Sequence, residues 1–464
     1  MLKTGKNTVR YYLLVAFFFL FLFFSNDFGL TDVQKTAIVT AVGIDREEDT
    51  FILTSQIAIP QTSKEGPSAK TVQLVSRGKT IGEAFEEINA KTGWYPKLVF
   101  CNLILLGQKT TERNVFDVLD YFLRDDYLSD NCYVATCDGL AKDVLDTPAL
   151  VDSSSAAAIG KVLSDHAKRV GTVMPNNLKD FSIGYFGASK SSYLPIIKKE
   201  PQQVRVESSS KEKEGGQNSD KKDKESEKNN EDKQEDGGKK EENQGGSEKD
   251  SSNGGSQQGS NDGSNGGSNG ETSQKGASKG GMGESNEKSG EQDKDLPVFS
   301  AGETALFYGG VQTGRLTTEE TFALNVVLGK LRLASYTLSR DGANCSLVIK
   351  HNSPNIKLKA GQEFPLTLRI HLTLNAGVLD YSKSQNLEEI KDVGDVPMEF
   401  FSIAEKKLSA DITQTFEKCK RANCDVFSVH ERLVKYQKRA WEKEQESALQ
   451  NTILDVNVRF RNVR

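Results

Sequence analysis

The feature that most constrains the fold is a low-complexity segment in the middle of the chain. From Glu207 to Lys294 the residues are mainly Lys, Glu, Ser, Asn, Gln and Gly, and the segment holds 18 of the 40 glycines. No aromatic residue occurs between Tyr193 and Phe299. Such a segment cannot bury enough apolar surface to offset its conformational entropy, so we predict a long disordered linker over residues 201–296. We interpret it as a passive spacer, with an adhesive or wall-penetrating role as the alternative.

The acidity of the chain is concentrated in that linker. Pro201–Leu296 contains 15 Lys and Arg against 22 Asp and Glu, whereas the whole chain contains 60 and 65. The rest of the chain therefore carries a net charge of about +2. A nucleic-acid-binding protein shows a basic face, so we expect no nucleic-acid partner. The six cysteines form no CxxC pair and are too sparse for a disulfide-stapled domain, and their pairing stays open.

An apolar run near the N-terminus predicts a membrane anchor. Tyr11–Phe24 is fourteen apolar residues long and follows Lys3, Lys6 and Arg10. A basic flank before an apolar run predicts an N-terminus in the cytoplasm and a chain that lies outside the membrane. We therefore predict a signal anchor over residues 1–30. Its membrane-contacting residues would be Tyr11, Leu13, Leu14, Phe17, Phe18, Phe19, Phe21, Phe23 and Phe24.

Length alone does not separate a retained anchor from a cleaved signal. The run would form a helix of about 21 Å, which is shorter than a hydrocarbon core of about 30 Å. No pair of small residues typical of a cleavage site follows it. Retention is therefore the interpretation that we favour.

Strands and helices alternate in region 31–200. Strands are predicted at Ala37–Ile44, Phe51–Ile59, Thr71–Ser76, Leu98–Leu106 and Asn131–Cys137. Thr80 and Glu83 form a capping-box pattern before a helical apolar stripe, and Ser153–Val170 is typical of a longer helix. This alternation predicts a mixed α/β (α+β) layer structure.

Region 297–464 predicts an antiparallel sheet packed with long helices. In Leu366–Leu374 leucine and isoleucine alternate with polar residues such as Arg369 and His371, which indicates a strand with one exposed face. A long helix with a buried stripe is predicted after Pro397, and a second one over Ser428–Gln445. Alternating residues predict a last strand at the end of the chain.

The sequence offers no convincing active site. It contains four histidines and no HExxH motif, nucleophile elbow or His/Cys cluster at zinc spacing. His166 is expected on a buried helix face and His430 near the start of a helix. Gly78-Lys79-Thr80 lacks the earlier glycine of a phosphate-binding loop, so a helix cap is the better interpretation. We expect no enzyme activity, cofactor or metal.

Several motifs in order resemble the Ger(x)C family, the C subunits of spore germinant receptors. The first is the strand TAIVTAVGID at Thr36–Asp45, which is followed by SRGKTIGEAFEEINAKTG at Ser76–Gly93. LILLG at Leu103–Gly107 and DYFLRDDYLSDNCYVATCDGLAKDVL at Asp120–Leu145 come next. The C-terminal motifs are ALFYGGVQTGRLTTEETFALNVVLGK at Ala305–Lys330 and CDVFSVHERLVKYQKRAWEKE at Cys424–Glu444. Together they cover nearly all of both folded regions.

The chain departs from the family in two places. Family members are typically lipoproteins, but Asp27 stands at the position of the lipidated cysteine, and no cysteine precedes Cys101. We therefore expect no N-terminal lipidation, which leaves Tyr11–Phe24 as the element able to hold the chain at the membrane. The family also has a much shorter segment where this chain has its linker.

The resemblance implies a non-enzymatic subunit on the outer side of the spore inner membrane. It implies assembly with germinant receptor A and B subunits, which are membrane proteins, and a role in nutrient-triggered germination. It also implies two mixed α/β subdomains in region 31–200 and one in region 297–464, and no residue-level ligand site. The alternative is an extracytoplasmic binding module or adhesin presented on a flexible linker.

Overall fold

Two β-sheets and the helices packed on them make up the described structure. The computed structural model describes residues 4–24, 36–63, 66–150, 152–164, 167–204, 294–340, 342–359, 366–383 and 398–463. All of these belong to a single unit built from residues 1–205 and 293–464. The predicted linker, apart from its two ends, lies outside the described residues.

The larger sheet has ten strands. They are β1 (Thr36–Glu47), β2 (Thr50–Ser63), β3 (Gly66–Gly78), β4 (Tyr95–Lys97), β5 (Leu103–Leu106), β6 (Tyr133–Cys137), β7 (Asn176–Asn177), β8 (Ser191–Val204), β9 (Lys294–Tyr308) and β10 (Val311–Leu316). The order is β10-β9-β8-β6-β5-β1-β2-β3, with β4 paired to β1 and β7 paired to β6. The pairs among β8, β6, β5 and β1 are parallel, and so is the pair of β4 with β1. The other pairs of this sheet are antiparallel.

Helices cover both faces of the parallel part of this sheet. They are α2 (Ile81–Thr92), α3 (Gln108–Thr111), α4 (Phe116–Leu123), α5 (Ala141–Leu145), α6 (Ser155–Leu163), α7 (Ala167–Val170) and α8 (Leu178–Phe186). In β5, Ile104 and Leu106 join the core under α2, α4 and α8, whereas Leu103 and Leu105 join the core under α5 and α6. The sequence of a strand that is buried on both faces is a continuous apolar run. This is why apolar and polar residues do not alternate in LILL.

The predicted strand Leu98–Leu106 is wrong in its first half. The strand begins at Leu103, and Val99 and Phe100 lie in an exposed turn between β4 and β5. Both of those strands pair with β1, so the five residues between them leave the sheet. Apolar content alone therefore overestimated the length of the buried strand.

The smaller sheet has four strands, β11 (Ala334–Arg340), β12 (Ala343–Lys359), β13 (Leu366–Lys383) and β14 (Thr452–Asn462). β11, β12 and β13 are antiparallel, and β14 pairs parallel to β13. The alternation predicted for β13 is confirmed, since Leu366, Leu368 and Ile370 are buried and His371 is exposed.

Helices from the C-terminal region lie against both sheets. They are α9 (Thr318–Val327), α10 (Met398–Arg421), α11 (Val429–Tyr436) and α12 (Lys438–Glu444), with a 3-10 turn at Gln445–Ser447. α9 contacts β9 and β12, and α10 contacts β10 and β14, so one continuous core includes side chains of both sheets. The mixed α/β fold class is confirmed.

Two predicted helices are shorter than expected. The helix predicted over Ser153–Val170 is divided into α6 and α7, and His166 lies outside the described residues. The helix predicted over Ser428–Gln445 is divided at Gln437, whose backbone angles (φ −142°, ψ 57°) are not helical. The predictions were too long because they rested on the spacing of apolar residues. That spacing can continue where the backbone hydrogen bonds of the helix are interrupted.

Candidate functional site: the junction between the two sheets

The predicted anchor lies in helix α1 (Thr4–Phe24). Tyr11, Leu13, Leu14, Phe17, Phe18 and Phe19 are exposed, and so are the other side chains between Arg10 and Leu20, all round the helix. Phe21, Phe23 and Phe24 belong to α1, but their side chains are not among those described, and Asp27 lies outside the described residues. The assignment of these residues to a membrane stays a prediction.

In the described residues, neither a membrane-spanning helix nor a metal-binding cluster marks a site. None of the helices found there is long and apolar enough to span a membrane. In the same residues, no group of three or more His, Cys, Asp and Glu side chains is arranged to hold a metal ion. Several buried polar groups link one element of the fold to another.

The first such group fixes the motif that ends in Gly-Ile-Asp. Asp45, at the end of β1, is 2% exposed, and its carboxylate accepts hydrogen bonds from the N–H groups of Ala141 (2.7 Å) and Lys142 (3.0 Å) at the start of α5. Burial raises the pKa of Asp45, while these two hydrogen bonds oppose the rise. A Cβ atom on Gly107 would overlap this carboxylate, so the glycine after LILL leaves room for the contact. These motif residues stabilise the fold.

A second group joins the helices that lie between the sheets. Thr317 and Glu320 form a capping box at the start of α9, and Glu320 is nearly fully buried. Lys418 of α10 places its Nζ atom 2.7 Å from Glu320 Oε2, so a residue of the cap also holds α10. Farther along α9, Asn325 donates hydrogen bonds to the carbonyls of Gly171 (2.7 Å) and Val173 (3.0 Å). α9 is thereby tied to α10 and to the loop after α7.

The junction itself centres on the loop between α10 and α11. The single S–H group of Cys424 is shared between the carbonyl oxygens of Ser192 (3.4 Å from Sγ) and Phe307 (3.2 Å), which belong to β8 and β9. Burial raises the pKa of the Cys424 thiol to about 12, so the thiol stays neutral. The next N–H group, that of Asp425, donates to Ser191 Oγ at 2.9 Å. This loop therefore connects the C-terminal helices to the larger sheet.

Asp425 and His430 form a buried ion pair at the start of α11. The Asp425 carboxylate accepts hydrogen bonds from the N–H groups of Val429 (3.0 Å) and His430 (2.7 Å), and His430 Nδ1 lies 2.7 Å from its Oδ2 atom. Burial lowers the pKa of His430, but the hydrogen bond and the charge of Asp425 raise it by more, so the pKa lies above its ordinary value. The backbone of Gln445 also raises the pKa of His430. A carboxylate acceptor favours the protonated form of the ring.

A small pocket opens beside this pair. It has a volume of about 200 Å³, and its wall includes Ser189, Tyr308, His430 and Trp441. The rings of His430 and Trp441 meet edge to face, with centroids 5.8 Å apart. Ser189 donates its hydrogen bond to Glu431 Oε1 (2.6 Å) rather than to the imidazole. The arrangement therefore differs from a Ser–His–Asp triad, in which the imidazole takes the hydroxyl proton.

Sequence reasoning placed His430 near the start of a helix but missed its partner. The position of Asp425 in the sequence could have indicated this partner. A carboxylate shortly before the start of a helix is typical of a residue that caps the N–H groups of the first turn. Ser428 at the N-cap has a positive φ of 61° and makes no side-chain cap, so Asp425 caps the helix from three residues earlier.

Comparisons with known proteins match both folded regions. The family described as "Spore germination protein N-terminal domain" matches residues 30–199, and the family described as "Spore germination B3/ GerAC like, C-terminal" matches residues 302–463. Spore germination protein B3 of Bacillus subtilis (strain 168) is 33% identical over 133 residues, which are 27% of this chain. The match spans 35% of that relative's own length.

A solved structure, the crystal structure of the GerBC protein, is also similar. It is 15% identical, with a TM-score of 0.46, and the match covers 91% of this chain and 97% of that one. The two family matches together include most of the chain and almost every motif quoted above. The chain therefore belongs to the Ger(x)C (GerAC-like) family of spore germination proteins.

Proposed function

We propose that the chain is a non-enzymatic, membrane-tethered subunit of a spore germinant receptor. It would act on the outer side of the spore inner membrane together with the A and B subunits, which are membrane proteins, and support receptor assembly. The observation that carries the proposal is the family match across both folded regions. It is supported by the motif residues, since Asp45, Glu320, Asp425 and His430 all make contacts within the fold.

The proposal also assigns the attachment of the chain to the membrane to helix α1, which we call the tether. Support comes from α1, whose apolar side chains are exposed and follow basic residues. A helix that is apolar on all sides is typical of a segment that inserts into a lipid bilayer or into a protein interior. Since the position of the lipidated cysteine is occupied by Asp27, α1 is the element proposed to hold the chain at the membrane.

A clean deletion of the gene tests the receptor role. We expect the deletion to block or strongly slow nutrient-triggered germination, and a copy of the gene at another locus to restore it. Germination by a trigger that bypasses nutrient receptors should remain normal. If nutrient germination is normal in a strain without a second homologue, the receptor role is wrong and the binding-module alternative is favoured.

A double substitution tests the tether separately. We expect Phe18→Asp with Phe19→Asp to release the protein from the membrane fraction, because each carboxylate at the centre of an inserted helix costs about 2.5–3.5 kcal/mol. Phe18→Leu with Phe19→Leu keeps the helix apolar and is the matched control. Unchanged membrane fractionation of the aspartate variant would show that partner proteins, and not α1, hold the chain there.

A further inference from the structure

An apolar pocket lies at the N-terminal end of β1. It has a volume of about 500 Å³, and its wall is almost entirely apolar. Its lining includes Ile38, Ile57, Ile59, Val72, Leu74 and Trp94. Thr36, the first residue of β1, also lines it, so the pocket lies where the chain enters the larger sheet.

Exposed aromatic and aliphatic side chains lie in β4 and in the residues directly before and after it. Trp94 is 44% exposed, Tyr95 50%, Val99 50% and Phe100 62%. Tyr95 pairs with Thr36, and Val99 and Phe100 lie in the turn that follows β4. We call these four residues, together with the pocket, the Trp94 surface. Large apolar side chains that are exposed beside an apolar pocket are typical of an interaction site.

The chemistry of the Trp94 surface fits the interfacial layer of a bilayer. Tryptophan and tyrosine have an apolar body and a polar tip, and they are enriched at the level of the lipid headgroups. Beside them, Lys97 Nζ lies 4.6 Å from the ring centre of Tyr127, a further exposed aromatic residue. A lysine in this position can extend its ammonium group to the headgroups while its stem stays on apolar surface.

The path of the chain places this surface near the membrane. α1 ends at Phe24 and β1 begins at Thr36, so eleven residues separate them. Even fully extended, this connection spans no more than about 40 Å. If α1 is inserted as proposed above, the rim of the pocket is held within that distance of the bilayer. The inference therefore rests on the proposed tether.

We propose that the Trp94 surface contacts the phospholipid bilayer, with Trp94, Tyr95 and Phe100 at the level of the headgroups. Lipid acyl chains would then fill the apolar pocket. The contact gives the larger sheet a second attachment to the membrane besides α1. It fixes which end of that sheet faces the bilayer and thereby the direction in which the rest of the fold points.

Tryptophan fluorescence of the full chain provides the test, because the sequence contains two tryptophans, Trp94 and Trp441. Full-length Trp441→Phe is reconstituted into phosphatidylcholine–phosphatidylglycerol vesicles that contain lipids brominated near the headgroup end of the acyl chain. We expect the emission of Trp94 to shift to the blue and to lose intensity relative to vesicles without bromine. Trp94→Phe, which leaves Trp441 in the junction pocket, is the matched control and should lose no intensity.

Flotation of the same samples separates the two proposals. If the protein does not float with the vesicles, the tether is wrong, and with it the ground for the bilayer contact. If the protein floats and Trp94 is no more quenched than Trp441, the tether stands and the bilayer contact is wrong. If the emission of Trp94 shifts to the blue only after a membrane protein is added, the lipid contact is also wrong. The surface then binds a protein partner instead.

Discussion

Asp425 accepts three hydrogen bonds at a place where solvent does not reach its carboxylate. Two of them satisfy N–H groups in the first turn of α11, and the third joins the carboxylate to the imidazole of His430, whose pKa is raised by this contact. Removing one partner of a buried ion pair leaves the other charge without compensation, which is more costly than losing an exposed pair. Single-residue changes in the junction should therefore have large effects.

We expect Asp425→Ala to lower the free energy of unfolding by about 3–5 kcal/mol, the range for breaking a buried pair. Asp126→Ala, at an exposed aspartate, is the control and should change it by less than about 0.5 kcal/mol. Chemical denaturation followed by circular dichroism measures both variants. Equal stability of the two variants would contradict the role given to Asp425.

The raised pKa of His430 predicts a pH-dependent contribution to stability. A group whose pKa is raised on folding stabilises the protein fully below its unfolded pKa of about 6.5, and this contribution is lost as the pH rises through the folded pKa. Besides Asp425, the charge of Glu431 also raises the pKa of His430. We expect the stability difference between the natural protein and His430→Asn to be largest at acidic pH and to shrink as the pH rises. A difference that is independent of pH, or that grows with it, would contradict this assignment.

Among the elements, β1, β5 and α5 meet at the Asp45 carboxylate. The contact requires glycine at position 107, because any side chain there would enter the space of the carboxylate. The pairing of two neighbouring parallel strands and their contact with the start of α5 thus depend on one position without a side chain. This explains why LILL is followed by glycine in the motif.

We expect Gly107→Ala to destabilise the protein by about 1–3 kcal/mol, the usual cost of forcing an extra methyl group into a packed site. Gly160→Ala in α6 is the matched control, since its added Cβ meets only one atom, at 3.9 Å. Alanine is a better helix former than glycine, so the control should be unchanged or up to about 1 kcal/mol more stable. The midpoints of thermal unfolding of the two variants are compared. Equal midpoints would show that the strands accommodate the added methyl group without loss of stability.

At the scale of the whole molecule, the ends of the predicted linker are themselves paired. β8 and β9 are antiparallel partners up to Val204 and Lys294, so residues 201–204 and 294–296 are strand and not linker. Backbone hydrogen bonds between the two strands hold these residues in the larger sheet. The division into separate domains before and after the linker stays a prediction, while the sheet itself contains strands from both sides.

This pairing predicts that the linker can be removed without loss of the fold. We expect replacement of residues 205–293 by a four-residue turn to keep the protein folded, because antiparallel strands are joined by loops of two to five residues. If the linker is a random coil, shortening it should add about 2–3 kcal/mol of stability through the lower entropy of loop closure. Denaturation of the shortened and full chains measures this change. Unfolding of the shortened chain would show that the linker contributes contacts of its own.

The sequence by itself determined the local elements and their faces. The leucines of β13 and the capping of α2 by Thr80 lie where spacing predicted them, because helical and strand periods and caps depend on residues a few positions apart. Only the tertiary structure decided the partners. It added β9 to the larger sheet, made β14 parallel, exposed Phe100 and buried His430 against Asp425. Alternation is the same for parallel and antiparallel neighbours, and a pairing between distant residues leaves no local pattern, so these contacts could be known only from the folded chain.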